Sequence, residues 1–388
     1  MANKPTLLYA SPFPPKKSGI SDYSTELVKA LSSIFDITLY IDNYEITDDS
    51  LSEFPAVRHW VDFVDYDSYD YRIYNIGNQP DFHAYIYDAA INHPGMIIMH
   101  DFMLYFLFVG YYQKRNELYS KVYDTVGVDG FLKIKHAVKK NGVNLLEQKN
   151  MASALALNEE LLKSGNKIMV HSEYSKEKIL ETGLMDEKDI KKINHLSLMS
   201  DNEEYIDKKE LFAKYNVPED AVIVASFGYI AETKLNREVC EAVKKIDKEM
   251  ICYVMVGDGE YVDDELKEGL IIKTGYTELD EFNSFIKHSD IIVNLRNPSM
   301  GETSGAMIRI LQMGKVCITN EGGWFSELPD DCVVKIDIND TVGNLEKTIT
   351  ELIADSGWKQ RIEENAKDYI KREYSPQIIA KQIADFIN

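Results

Sequence analysis

A chain of 388 residues, 45% hydrophobic and 28% charged, has the composition of a globular protein and is too long for one ordinary core, so two domains are expected. Its formal net charge of −21 excludes a general nucleic-acid binder, because phosphate backbones are gripped by basic faces. No apolar run is long enough to span a bilayer, and the N-terminal stretch lacks the apolar core of a secretory signal, which points to a cytoplasmic protein.

Short apolar runs alternate with helical patterns along the whole chain. The first half carries "TLLYAS", "DITLYI", "YRIYNIG", "GMIIMHD" and "KIMVHS"; the second carries "AVIVASFG", "ICYVMVGDG", "GLIIKTG", "DIIVNLRN", "VCITNE" and "CVVKI". Between them lie helices such as "SDYSTELVKALSSI", in which Tyr23, Leu27 and Leu31 share one face. In the turn before it, Gly19 offers a left-handed backbone, and Ser21 or Asp22 a helix cap. Strand–helix alternation of this kind builds parallel sheets covered on both faces, an α/β class. The stretch "SDNEEYIDKKELFAKYNVPED" breaks the rhythm and a fresh strand starts at Ala221. The expected organisation is a Rossmann-like domain over 1–200, a second over 201–372, and a closing helix over 373–388 after a break at Ser375 and Pro376.

Residues 103–140 are unusually aromatic and locally basic. Tyr105, Phe106, Phe108, Tyr111 and Tyr112 precede Lys114, Arg115 and Lys121, then Lys133, Lys135, Lys139 and Lys140. Two readings stay open: aromatic helices packed in an α/β core, or a docking face against an anionic membrane. Cys240, Cys252, Cys317 and Cys332 show no metal-ligand spacing and read as reduced core residues.

The strand exits carry the chemistry. No GxGxxG follows the first strand and no P-loop occurs, so neither of those nucleotide fingerprints is present. Instead the exits read "PFPPKKSGISDY", "FGYIAETK", "VGDGE", "RNPSMGETSG" and "EGGWFSELPD", all rich in glycine and polar residues where doubly wound sheets bind ligands. Ser304 before an apolar helix is either a plain cap or, with the helix dipole, half of an anion site.

Taken in order, "FGYIAETK", "VGDGE", "GETSGAMIRILQMGK" and "NEGGWFSELPDD", preceded by "PFPPKKSGISDY", "NIGNQPDFH", "MHDFML" and "VHSEYSKEKI", resemble the retaining nucleotide-sugar glycosyltransferases of family 4, of GT-B fold. The resemblance spans essentially the whole chain. It departs from the family twice: where a second glutamate usually holds the ribose stands Ile310, counting eight residues from Glu302, or Arg309, counting back from Gly314, and Tyr229 replaces an arginine expected near the diphosphate. A branch of that family reads "GETSG" with an arginine at this place.

The resemblance implies two Rossmann-like domains facing each other across a cleft, an acceptor-binding first half, and a C-terminal helix crossing back to it. It implies transfer from a UDP-, GDP- or dTDP-linked sugar to a glycan or lipid-linked acceptor, as in surface-polysaccharide synthesis, with no metal or other cofactor. Lys234 is then the cation on the departing diphosphate, with a solvated lysine as the plain alternative. Gly228 precedes it, and Thr303, Ser304, Gly305 and Ala306 supply the helix-opening cradle. Arg296 faces the same phosphates or forms a structural ion pair. Glu302 holds hydroxyls of the transferred sugar, or is simply an acid favoured at a helix N-terminus. His100 hydrogen-bonds a sugar hydroxyl or a backbone carbonyl, and Asp101 follows it. Gly19 lets the loop backbone approach the donor. His83 and His171 are weaker candidates, His171 having the alternative of anchoring the helix that follows. Gly322 and Gly323 form a donor-side loop, with Trp324 and Glu327 structural. A nucleotide-sugar 2-epimerase of the same fold and a non-enzymatic partner remain as other functions.

Overall fold

The structure, a computed structural model, describes residues 4–141, 144–147, 151, 154–198, 203–246, 251–299 and 301–388. The chain forms two compact units. The first comprises Met1–Leu196, Met300–Thr303 and Pro376–Asn388, and the second Ser197–Ser299 and Ser304–Ser375. The expected boundary between residues 200 and 201 lies outside the described residues.

The first unit holds a wholly parallel sheet of β1 (Thr6–Ala10), β2 (Asp36–Ile41), β3 (Ala56–Arg58), β4 (Tyr71–Ile76), β5 (Met96–Met99), β6 (Lys167–Val170) and β7 (Ile190–Lys192), in the order β3-β2-β1-β4-β5-β6-β7. The second repeats the pattern with β8 (Val222–Phe227), β9 (Ile251–Val256), β10 (Ile271–Lys273), β11 (Ile291–Val293), β12 (Cys317–Asn320) and β13 (Val334–Ile336), ordered β10-β9-β8-β11-β12-β13. Central strands such as "MIIM" of β5 and "ICYVMV" of β9 are buried at every position, as strands covered on both faces must be. Each fully buried large apolar side chain there contributes about 1.5–3 kcal/mol relative to exposure. Chain order reverses between β1 and β4 and again between β8 and β11. Those two switch points are where the carboxyl edges of such sheets open a crevice.

All eleven sequence-predicted strands are present. The two not anticipated, β3 and β7, are three-residue strands at the edges of the first sheet, too short to show a period. Tyr23, Leu27 and Leu31 are fully buried on the helix Gly19–Leu31. That helix is capped by Ser18, whose hydroxyl accepts the Ser21 N–H at 3.1 Å, rather than by Ser21 or Asp22. The last helix, Pro376–Ile387, packs on Gly19–Leu31, and Lys167 Nζ donates to the carbonyl of Phe386 at 2.8 Å, so the C-terminus returns to the first unit.

The aromatic segment divides at residue 114. In the helix Tyr105–Gln113, Tyr105, Phe108, Tyr111 and Tyr112 are buried, and the Tyr111 and Tyr112 hydroxyls donate to Asp88 and Glu160. This half belongs to the core. The helix Leu118–Asn141, kinked at Gly127, instead exposes Tyr119, Tyr123, Val128 and Leu132 beside Lys133, Lys135, Lys139 and Lys140. No helix among the described residues is long and apolar enough to cross a membrane. All four cysteines are free and buried, and burial pushes the thiols of Cys240, Cys252 and Cys332 up to about 12, which leaves them inert.

Candidate functional site

In the second unit the exits of β8, β9, β11 and β12 are tied side by side. The Gly228 N–H donates to the Val256 carbonyl at 2.9 Å, and Ile230 N–H to Asp258 O at 2.7 Å. Asn297 N–H donates to Thr233 O at 2.8 Å, and Arg296 N–H to Asn320 Oδ1 at 2.8 Å. Gly228 has φ +85°, and a Cβ added to it would lie 2.8 Å from Lys234 Nζ. Lys234 folds back so that its ammonium donates to the Phe227 carbonyl at 2.7 Å. The glycine-to-lysine spacing thus has a physical meaning: glycine alone leaves room for the ammonium at the strand end. Gly257 fits the same logic, since a Cβ there would meet the Gly228 carbonyl at 2.2 Å.

Ser304 caps the helix Gly305–Gln312, its Oγ accepting the Met307 N–H at 3.2 Å and an Asn294 amide hydrogen at 3.3 Å. Gly305 and Ala306 are the first residues of that helix, at the positive end of its dipole. Glu302 and Thr303, two residues and one residue upstream of Ser304, group with the first unit, where the Ser175 hydroxyl holds the Gly301 carbonyl at 2.8 Å. Arg309 is buried and donates to the Leu198 carbonyl at 3.1 Å. Tyr229 is 63% exposed. Gly322 and Gly323 carry φ of +141° and +55°, and a Cβ on Gly323 would strike Ser299 at 2.2 Å. Trp324 is buried against Phe325 in the core.

In the first unit the expected histidines gather. His100 follows β5, His171 follows β6, and His83 lies on the helix Pro80–Asn92. With them stand Tyr23, which the sequence reading placed only on the apolar face of its helix, and His195, which it did not single out. The Tyr23 ring meets those of His100, His171 and His195 at centroid distances of 4.9, 5.2 and 4.6 Å. Carbonyl partners fix the tautomers: Nδ1 of His83, His171 and His195 must carry a proton to donate to the carbonyls of Asn75, Ile193 and Leu196 at 3.1, 3.0 and 2.8 Å. His100 Nε2 pairs with Asn75 Oδ1 at 3.1 Å, and Asn75 in turn donates to the Ala10 carbonyl. Burial pushes His83 and His171 down to about 4. Burial, then the neighbouring His171, His195 and His83, holds His100 well below its ordinary range. The rings of His83, His100 and His171 are therefore neutral at physiological pH, each with one nitrogen lone pair of acceptor character. The Tyr23 hydroxyl and His171 Nε2 are buried with no hydrogen-bond partner in the structure. Asp101 accepts the Asn78 N–H at 2.9 Å. Gly19 opens its helix outside the left-handed region, with open space where a Cβ would sit. The left-handed backbone expected at Gly19 is therefore not present. No group of three or more His, Cys, Asp or Glu among the described residues is placed to hold a metal ion.

No protein-family model and no curated protein sequence matches the chain. Solved structures do. HepE of Anabaena, in complex with UDP-glucose, matches with a TM-score of 0.64 at 13% identity over 98% of both chains. A glycosyltransferase from Rickettsia africae matches with a TM-score of 0.64 at 16% identity, over 99% of this chain and 98% of its own. Sucrose-phosphate synthase from Thermosynechococcus elongatus matches with a TM-score of 0.63 at 12% identity over 98% of both chains. At such identities the likeness is one of architecture: the chain has the GT-B fold of these glycosyltransferases.

Proposed function

We propose that the chain is a retaining glycosyltransferase that moves a sugar from a nucleoside-diphosphate donor, UDP-, GDP- or dTDP-linked, to a glycan or lipid-linked acceptor, without a metal ion. The observation that carries this reading is Lys234 seated over Gly228 at the switch point of the second sheet, beside the exits of β9, β11 and β12. An ammonium fixed in place costs no reorganisation when negative charge builds on a leaving diphosphate. The amides opening the helix at Ser304, Gly305 and Ala306 supply further donors, and Arg296 a second cation. Arg309, at the place of the family's ribose-holding glutamate, is a buried donor rather than an acceptor, so the ribose contact differs from the family's. Glu302 and His100 position the transferred sugar: neutral imidazoles with acceptor nitrogens suit hydroxyl donors, whereas an anion would favour charged ones. Gly322 and Gly323 let the donor-side loop adopt its left-handed turn. HepE, a structural match, is seen with UDP-glucose, which is consistent with this donor class.

The second domain binds the donor and the first the acceptor. On the first, the exposed apolar and lysine face of Leu118–Asn141, with an open groove of about 1100 Å³ lined by Tyr119, Leu132, Lys133, Lys135 and Met151, leans on the anionic inner leaflet. Liposome flotation at low salt checks that contact: changing Lys133, Lys135, Lys139 and Lys140 to Gln should remove binding, at about 1 kcal/mol for each charge.

The central experiment is a panel of nucleotide sugars. A donor should raise the melting temperature with EDTA present, since a ligand bound to the native state stabilises it. It should then be hydrolysed or transferred with retention. Epimer formation would favour the 2-epimerase. No shift with any donor would leave a non-enzymatic protein, and a shift requiring manganese would overturn metal independence.

A further inference from the structure

The turn that leaves β3 presents two large aromatic side chains to solvent. Trp60 is 81% exposed and Phe63 92%, with Val61 half-exposed between them. Their presentation is built rather than loose. His59 is buried, its N–H donates to the Ile41 carbonyl at 2.8 Å, and its ring bonds the Tyr40 hydroxyl. The Asp62 carboxylate accepts the Arg58 N–H at 2.8 Å and the Arg58 guanidinium at 3.2 and 3.3 Å, closing the turn into a clamp. Trp60 sits at φ +63°, a left-handed backbone that a bulky side chain adopts at a cost. The fold thus holds an indole outward in a strained position and gains no burial from it.

The surroundings narrow what this patch can meet. Between residues 42 and 70 the sequence has nine carboxylates (Asp42, Glu45, Asp48, Asp49, Glu53, Asp62, Asp65, Asp67, Asp70) against one arginine, Arg58, and no lysine. Such a field repels anionic lipid, nucleic acid and the same face of a second copy. The lysine face of Leu118–Asn141, by contrast, has the sign a membrane needs. An uncharged sugar chain meets no such barrier: the apolar C–H faces of its rings suit an exposed indole, and its hydroxyls can donate to carboxylates such as the exposed Asp65 and Asp67.

We propose that the turn 59–63 is a binding platform for an uncharged oligosaccharide, the growing chain of the acceptor, with Trp60 and Phe63 as its stacking surfaces. This rests on the transferase reading and adds to it a second hold on the acceptor, preformed so that no loop ordering is lost on binding. The first unit would then grip a polymer at the carboxyl edge of its sheet, two strands from the switch point.

The test is an immobilised array of uncharged glucans, galactans, mannans and N-acetylhexosamine oligomers, probed with the wild-type chain and with Trp60→Asn and Phe63→Ser. Asparagine tolerates the left-handed backbone, so Trp60→Asn should keep or raise the melting temperature and separates lost binding from lost folding. Binding of at least one uncharged oligosaccharide, weakened about tenfold or more in both variants, is the expected result. No uncharged ligand bound, or equal binding by the variants, overturns the platform. So does loss in the variants of binding to zwitterionic vesicles or to a basic protein instead. The nucleotide-sugar thermal shift is read on the wild-type chain alongside. A donor shift without glycan binding sinks the platform alone, and no donor shift sinks the transferase reading whatever the array gives.

Discussion

The carboxyl edges of the two sheets share one topology and carry opposite chemistry. In the first unit three of the eight histidines, His100, His171 and His195, pack against Tyr23, and burial holds His83, His100 and His171 neutral. In the second, glycines open the backbone and Lys234 is pinned as a fixed charge. One edge is made of neutral acceptors, which suit hydroxyl groups. The other is made of backbone donors and a cation, which suit phosphate. A strand order repeated in both units therefore leaves function to the residue types at the exits.

Acid should break the first edge before the second. His83 and His171 lie at about 4 in the folded chain against an ordinary 6.5, so the unfolded state takes up protons first as pH falls. Their contribution is complete above about pH 6.5 and is lost between there and pH 4. The full loss is on the order of 3 kcal/mol for each ring. Chemical denaturation from pH 7.5 to 4 should show this loss, and His83→Gln with His171→Gln should flatten the profile. A stability independent of pH over that range would remove the neutral-imidazole account.

Lys234→Ala tests the second edge. It should lower turnover on the order of a hundredfold with little change in melting temperature, with partial rescue by Lys234→Arg. An undiminished rate would show that the charge is not at the leaving group. Gly228→Ala should act on the same ammonium from beneath. The left-handed backbone costs a side chain roughly 1–2 kcal/mol, and the new methyl displaces Nζ, so stability and donor affinity should fall together. Tyr229→Arg is the mildest change. Placing a cation beside the glycine at an exposed position should tighten nucleotide-sugar binding a few-fold in calorimetry, and no change would place the diphosphate elsewhere.

Sequence alone determined eleven of the strands, the α/β class and the break at Pro376, because burial on both faces writes continuous apolar runs and a proline cannot continue the helix before it, though it can open the next. It also marked Gly228 with Lys234, and Ser304 with Gly305, since those spacings are local to one turn. What it left open was whatever depends on distant parts meeting. His195 carried no motif and Tyr23 read only as a core face of its helix, and both became part of a cluster when β7 and the first helix met β5 and β6. Ser18 rather than Ser21 became the cap because hydrogen-bond geometry, not residue type, chooses among neighbouring hydroxyls. The aromatic segment 103–140 read as one feature, yet packing buried Tyr105–Gln113 and left the next helix with its lysines in solvent. Both halves of the stretch carry aromatic residues, and only the tertiary fold decides which face finds a partner.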